Sequence, residues 1–195
     1  RSLSREQFLH SPHEALRIST LSDRDSLYRA CAEDIVGEIR AAREHDHGLV
    51  LILPAGPMPQ YHAAARLIND LDLSLDHVEF FAMDEWADQD GVSAPGEWAG
   101  SFQHALRSQF FSRVDAQLRP REDQMHFPSS ATIEDYGRRI ADLGGADVCY
   151  GGIGWNGHMA FWEPQLGHEF AGDLDAYRRE LLAGAWYSGA SSPLS

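Results

Sequence analysis

Leu49-Val50-Leu51-Ile52-Leu53-Pro54-Ala55-Gly56-Pro57-Met58-Pro59 is the stretch that decides how this chain folds. Its apolar run shows no alternation, so it reads as a strand buried on both faces, as strands of a parallel sheet are. The run stops at Pro54, and a helix is expected from about Pro59 to Leu71. Pro59 suits a first turn, where its missing N–H would have no partner anyway. A strand, a tight break and a helix form the unit from which parallel sheets are assembled.

Working outward, the same unit recurs on both sides. Upstream, Leu16 to Leu21 (LRISTL) alternates apolar and polar residues and reads as a first strand. Ser22 is the expected N-cap of a helix over about residues 23–44, with Leu27, Ala30, Cys31, Ile35, Ile39 and Ala42 at helical spacing. Downstream, His77 to Met83 (HVEFFAM) is the next strand, with Asp84-Glu85-Trp86 at its carboxyl end. Residues 87–99 have no periodicity and form a long polar loop, of the kind that often covers a ligand. A helix follows over Gly100 to Val114, a short strand over 124–128, and another helix over Thr132 to Leu143. Asp147 to Tyr150 is then a short buried strand. The order β-α-β-α-β-loop-α-β-α-β predicts an α/β fold: an open, mostly parallel sheet with helices on both faces. No repeat or linker interrupts it, so residues 1–195 are expected to form a single domain. Residues 1–13 read as an irregular arm, and Asp173 to Ala183 as one further helix.

Composition narrows the function. Thirty acidic residues against sixteen basic ones give a net charge of −14. Such a surface repels phosphate backbones, so nucleic acid is not expected as a partner. No window approaches the ~20 apolar residues of a membrane span, and the first residues do not read as a secretory signal. Cys31 and Cys149 lack metal-type spacing; Cys149 is expected to be a buried thiol, and a reduced, cytoplasmic setting is expected. The His45–His47 pair alone is too weak to imply a metal site.

The last strand runs into Gly151-Gly152-Ile153-Gly154-Trp155-Asn156-Gly157-His158-Met159-Ala160-Phe161-Trp162-Glu163-Pro164. Four glycines in seven positions forbid regular structure and let the backbone approach a ligand closely. A titratable side chain at the exit of such a turn fits a site at the carboxyl edge of an open α/β sheet. A tight turn with a surface histidine is the other reading of the same local pattern.

The stretch GGIGWNGHMAFWEP resembles the GG-x-G-x-D-G-H-I-A-F-N-E-P signature of the glucosamine-6-phosphate deaminases. Phe80 to Trp86 (FFAMDEW) is similar to the F-x-M-D-E-Y of that family, and the likeness covers roughly residues 15 to 164. The family's members are sugar-phosphate aldose–ketose isomerases that release ammonia, and their fold is a modified Rossmann-like sheet. Carried over, the resemblance implies Asp84 as the base that moves a proton between C2 and C1. It implies His158 as the group that opens the sugar ring and Glu163 as the carboxylate that orients it. Asn156 stands where the family has aspartate, and Trp162 where it has asparagine. An Asp→Asn change in another catalytic relay kept the geometry and cost about 10⁴ in turnover, so Asn156 is a consequential departure.

The resemblance further implies substrate contacts at Ala55, Gly56, Gly152, Gly157 and Ser101, with Ser101 also able to cap its helix. The loop at Ala55-Gly56-Pro57-Met58 departs from the family's T-G-G-T or T-G-S-T. It has no hydroxyls, and Pro57 and Pro59 remove two N–H donors from a helix start that would otherwise suit a phosphate. No cofactor and no metal are implied. The expected partner is a small-molecule sugar or sugar phosphate, not nucleic acid and not a membrane, with self-association into a homo-oligomer left open. Two other functions fit the same residues: a hydrolase like the 6-phosphogluconolactonases, and a sugar-phosphate-binding module without catalysis.

Overall fold

In a computed structural model, the described residues are 16–154, 173, 175 and 176. Helix α1 spans Arg24–Glu44, strand β1 Leu49–Leu53, α2 Met58–Asp70 and β2 Val78–Ala82. Then follow α3, Phe102–Gln109, β3, Met125–His126, α4, Ile133–Asp142, and β4, Val148–Cys149. The strands form one sheet in the order β3-β2-β1-β4, and every pairing is parallel. Leu49 lies opposite Val78 and Leu53 opposite Ala82, while Leu51 and Ile52 lie opposite Val148 and Cys149. The open α/β sheet expected from the alternating elements is therefore present, with the apolar run 49–53 as a central strand.

Strand alternation sorts the side chains between two faces. Leu49, Leu51 and Leu53 join Val78, Phe80 and Ala82 in one buried cluster. That cluster also takes Ala32, Ile35 and Ile39 of α1, Tyr61, Ala64 and Ile68 of α2, and Leu106 of α3. Phe80 meets Phe110 and Phe111 edge-on at 6.1 and 5.2 Å, which locks the turn after α3 onto the sheet. The opposite face carries Phe81, which stacks on His126 at 4.2 Å and meets Tyr136 of α4 edge-on at 5.4 Å. Among the described residues, helices thus cover both faces, unequally: three on the first and α4 on the second, where no α4 residue is fully buried.

Several expectations are corrected. Residues 16–21 form no strand; Leu16 and Leu21 are 56% and 47% exposed, so the alternation has no sheet edge to bury against. The N-cap of α1 is Asp23, one residue past Ser22. Its carboxylate accepts the Ser26 N–H at 2.7 Å, and Ser22 donates to the same carboxylate at 2.8 Å. A charged acceptor is the stronger cap at a positive helix end. The helix expected over 100–114 stops at Gln109 and continues as a 3₁₀ turn at Phe111–Arg113. The strand at 147–150 is ladder-paired only at Val148–Cys149, and Cys149 is exposed rather than buried. The helix expected over 173–183 lies largely outside the described residues, as does the arm at 1–13. Among the described residues, no helix is long and apolar enough to cross a membrane.

Candidate active site

The strand order contains a topological switch. From β1 the chain moves to β2 and β3 on one side, then returns to add β4 on the other. In open α/β sheets the crevice for a ligand lies outside the carboxyl ends of the strands at such a reversal. Here it falls between the loop after β1, residues 54–57, and the turn after β4, residues 150–154. Asp84 leaves the carboxyl end of β2, which is the neighbour of β1.

Short contacts tie these segments together. The Met83 N–H donates to Leu53 O and the Tyr150 N–H to Ile52 O, both at 2.9 Å, so the exits of β2 and β4 are both pinned to β1. A Cβ at Gly151 would lie 3.5 Å from the Met83 methyl, which sets the glycine turn directly beside the residue preceding Asp84. At Gly56 and Gly152 a Cβ would meet no described residue's atom within 4 Å. The 54–57 loop is held from below by fully buried Tyr61, whose hydroxyl donates to Pro54 O at 2.5 Å. Helix α2 then starts with Pro57 as N-cap, without a side-chain capping bond.

Asp84 is half-buried and engaged in interactions of its own. Its carboxylate lies within electrostatic reach of two phenols, Tyr61 and Tyr136. Burial pushes both phenols well above their ordinary value, and the Asp84 charge adds to the shift. The Tyr136 hydroxyl lies 2.8 Å from Ala82 O and 2.9 Å from His126 O, so one proton bridges the carboxyl ends of β2 and β3. Both phenol protons are thus committed to backbone carbonyls. The tyrosines shape the frame around Asp84 and stay neutral.

Glu85 points away from the crevice, as its adjacency to Asp84 suggests. One carboxylate oxygen accepts the N–H groups of Trp86 and Phe102, and the other accepts that of Gln103, each at 2.9 Å. Ser101 completes the helix start: its hydroxyl oxygen accepts the His104 N–H at 3.0 Å, and the residue is 1% exposed. The structure therefore gives Ser101 the capping role among the two expected of it.

The 87–99 loop is built rather than slack. Ala87 and Ser93 form an antiparallel bridge, and the Asp88 carboxylate accepts the N–H groups of Asp90 and Val92 at 2.9 Å. Ser93 and Ser130 exchange backbone-to-hydroxyl bonds at 3.0 and 3.1 Å, which fastens the loop to the β3–α4 connection. It forms a fixed wall beside the exit of β2.

Asn156, Gly157, His158 and Glu163 lie outside the described residues, as does Trp162. Of the sequence-derived site residues, Ala55 and Gly56 follow the carboxyl end of β1, Asp84 that of β2 and Gly152 that of β4, on the same edge of the sheet. Tyr61 and Tyr136 were not singled out in the sequence. Their spacing marks them as buried helix positions, but the carbonyls they serve belong to distant strands. Among the described residues, no group of three or more His, Cys, Asp and Glu side chains is placed to hold a metal ion.

No family model matches the chain. A glucosamine-6-phosphate deaminase of Caenorhabditis elegans is 32% identical over 148 residues, covering 72% of this chain and 52% of that protein. The chain thus spans about half the length of the curated relatives it matches. Among solved structures, a monomeric glucosamine-6-phosphate deaminase superposes with a TM-score of 0.64 over 75% of this chain and 58% of its own, at 21% identity. The 6-phosphogluconolactonase of Thermotoga maritima superposes with a TM-score of 0.50 over 68% and 60%, at 22% identity. The sequence likeness and the fold agree: over about half the length of those proteins the chain is similar to glucosamine-6-phosphate deaminases, and it shares its fold with the solved deaminase and 6-phosphogluconolactonase structures.

Proposed function

We propose that the chain is an aldose–ketose isomerase and deaminase acting on an amino-sugar phosphate. In this reading His158, oriented by Glu163 and held by Asn156, passes a proton to the ring oxygen and opens the pyranose. Asp84 then removes the C2 proton, giving an enolamine, and returns a proton to C1. The resulting C2 imine adds water, and its C–N bond breaks with release of ammonia. A carboxylate on one face of the sugar can make both transfers, provided that it is held at the reacting carbons.

The observation that supports this most is that the exit of β2, which leads into Asp84, lies against the glycine turn at the sheet's switch point, where Gly151 abuts Met83. Among the described residues nothing crowds Gly56 or Gly152, which is consistent with a sugar lying there. The proline-rich start of α2 offers few N–H donors, so the substrate's phosphate is held by fewer bonds at this loop than a hydroxyl-bearing loop would give.

The test is a coupled assay with glucosamine 6-phosphate, following fructose 6-phosphate and ammonia. Turnover that falls at least ~10³-fold in Asp84→Asn, with unchanged thermal stability, is the expected result. Absence of turnover by the folded wild-type chain overturns the deaminase reading. The fold likeness to a lactonase favours 6-phosphogluconolactone as the second substrate to assay. Hydrolysis of the lactone without ammonia release from the amino sugar would make that the better reading.

A further inference from the structure

Acidic residues outnumber basic ones 30 to 16 in this chain. Arg40, Arg43, Arg107, Arg121 and Arg138 pair with Glu44, Asp76, Glu122, Asp123 and Asp135. Among the described residues Arg66 and Arg113 form no ion pair, nor do Arg17, Arg24, Arg29, Arg119 and Arg139. What sets Arg66 and Arg113 apart is that they line one open cavity of about 300 Å³ together with His62, Ala65 and Asn69, and among the described residues no carboxylate is in its wall. His62, Arg66 and Asn69 stand at i, i+4 and i+7 on α2, so one helix face presents all three.

The cavity is held in shape by hydrogen bonds. The Asn69 amide donates to Arg113 O at 3.0 Å, and its oxygen accepts the Asp115 N–H at 2.9 Å, which fixes Arg113 against α2. His62 Nε2 lies 2.9 Å from Gln109 Oε1, and Arg113 donates to the same oxygen at 3.2 Å. A carboxamide oxygen only accepts, so Nε2 carries a proton. Two donors therefore converge on a single neutral acceptor. The Arg66 guanidinium makes no hydrogen bond or ion pair among the described residues. Unneutralised like charges around one cavity repel each other, and an anion between them removes that cost.

We propose that this cavity is a second ligand site, distinct from the crevice at Asp84, and that it takes a small phosphate-bearing anion. Arg66 lies ~12 Å along the helix axis from Met58, at a rise of ~1.5 Å per residue, so the two sites occupy different parts of α2. Guanidinium forks match phosphate oxygens in pairs, and the second N–H of the Asn69 amide suits the remaining one. Three terminal oxygens use such a donor set more completely than the two of a carboxylate.

The test is a titration of the intact chain with inorganic phosphate at constant ionic strength, kept with chloride. The readouts are the His62 ring resonances and the arginine Nε–H resonances of Arg66 and Arg113. Saturable shifts are expected, with affinity at least tenfold weaker in the Arg66→Gln/Arg113→Gln variant and unchanged in Asp84→Asn. Arg66 is exposed, so Arg66→Gln alone serves if the double variant does not fold; it is expected to weaken binding severalfold. The proposal is overturned by shifts that chloride reproduces, by shifts indifferent to Arg66→Gln, or by saturation with a hexaglutamate peptide but not with phosphate. The last result would mark a surface for an acidic protein segment.

Discussion

The Glu85 carboxylate accepts the Gln103 N–H at 2.9 Å, so a side chain next to Asp84 closes the base of a loop that departs at Trp86 and returns at Phe102. It places a negative charge at the positive end of α3 and supplies acceptors for its first two N–H groups. Glu85→Ala is expected to cost about 2 kcal/mol in chemical unfolding, the order of a few partly solvated hydrogen bonds to a charged group. Amide exchange of Phe102 and Gln103 should rise in the variant. Turnover should fall at least tenfold through displacement of Asp84, with Glu85→Gln recovering part of both effects. Unchanged stability would show that water replaces the carboxylate and that the clamp is incidental.

Tyr136 performs a comparable task across the strands. Removing its hydroxyl leaves the carbonyls of Ala82 and His126 without that donor at a half-buried position. Tyr136→Phe keeps the ring contact with Phe81 and is expected to lose about 1–2 kcal/mol, the typical cost of an unsatisfied buried acceptor. If Ala82 fixes the approach to Asp84, kcat should drop severalfold with little change in KM. A variant with full stability and full kcat would remove Tyr136 from the frame of the site.

The parts legible in the sequence were those set by local pattern. LVLIL and HVEFFAM announced themselves because strands covered on both faces need no polar alternation, and α1 and α2 followed from their buried stripes. LRISTL misled because alternation reports a strand only where a neighbouring strand supplies bonds, and Ile18 is the one residue of the six that is partly covered. Cys149 was expected to be buried because its run is apolar, yet β4 borders the described sheet with only β1 beside it. Asp84 was legible from its place at a strand end. The hydroxyl bonds of Tyr61 and Tyr136 were not, since their partners are set by packing between segments far apart in the chain. Asn156, Gly157, His158 and Glu163 remain sequence-based expectations.

Alkaline pH offers a test of the tyrosine frame. Tyr61 and Tyr136 resist ionisation, chiefly because burial disfavours the phenolate, and Tyr150 does so through burial and then its hydrogen bond to Asp34 at 2.8 Å. A pKa raised by folding contributes stability that is fully present below the unfolded value, ~10, and is lost as pH climbs above it toward the folded value. Stability should therefore fall steeply above about pH 10. Absorbance at 295 nm should show Tyr61, Tyr136 and Tyr150 ionising together with unfolding. Tyr61→Phe and Tyr136→Phe should each flatten the alkaline loss. All six tyrosines titrating near pH 10 in the folded chain would refute the buried placement.

Gly152 separates a ligand role from a folding role. Its backbone is not in the left-handed region, and an added Cβ meets nothing within 4 Å among the described residues, so the described fold does not demand glycine there. Gly152→Val should leave unfolding free energy within about 0.5 kcal/mol of wild type, as exposed substitutions usually do. The same side chain would stand on the turn that follows β4, where the proposed function requires a sugar to lie if Asp84 is to reach its C2 proton. KM for glucosamine 6-phosphate should then rise at least tenfold. A fall in stability with unchanged KM would mean that the glycine serves the turn and not the substrate, and would move the ligand away from the β1–β4 switch.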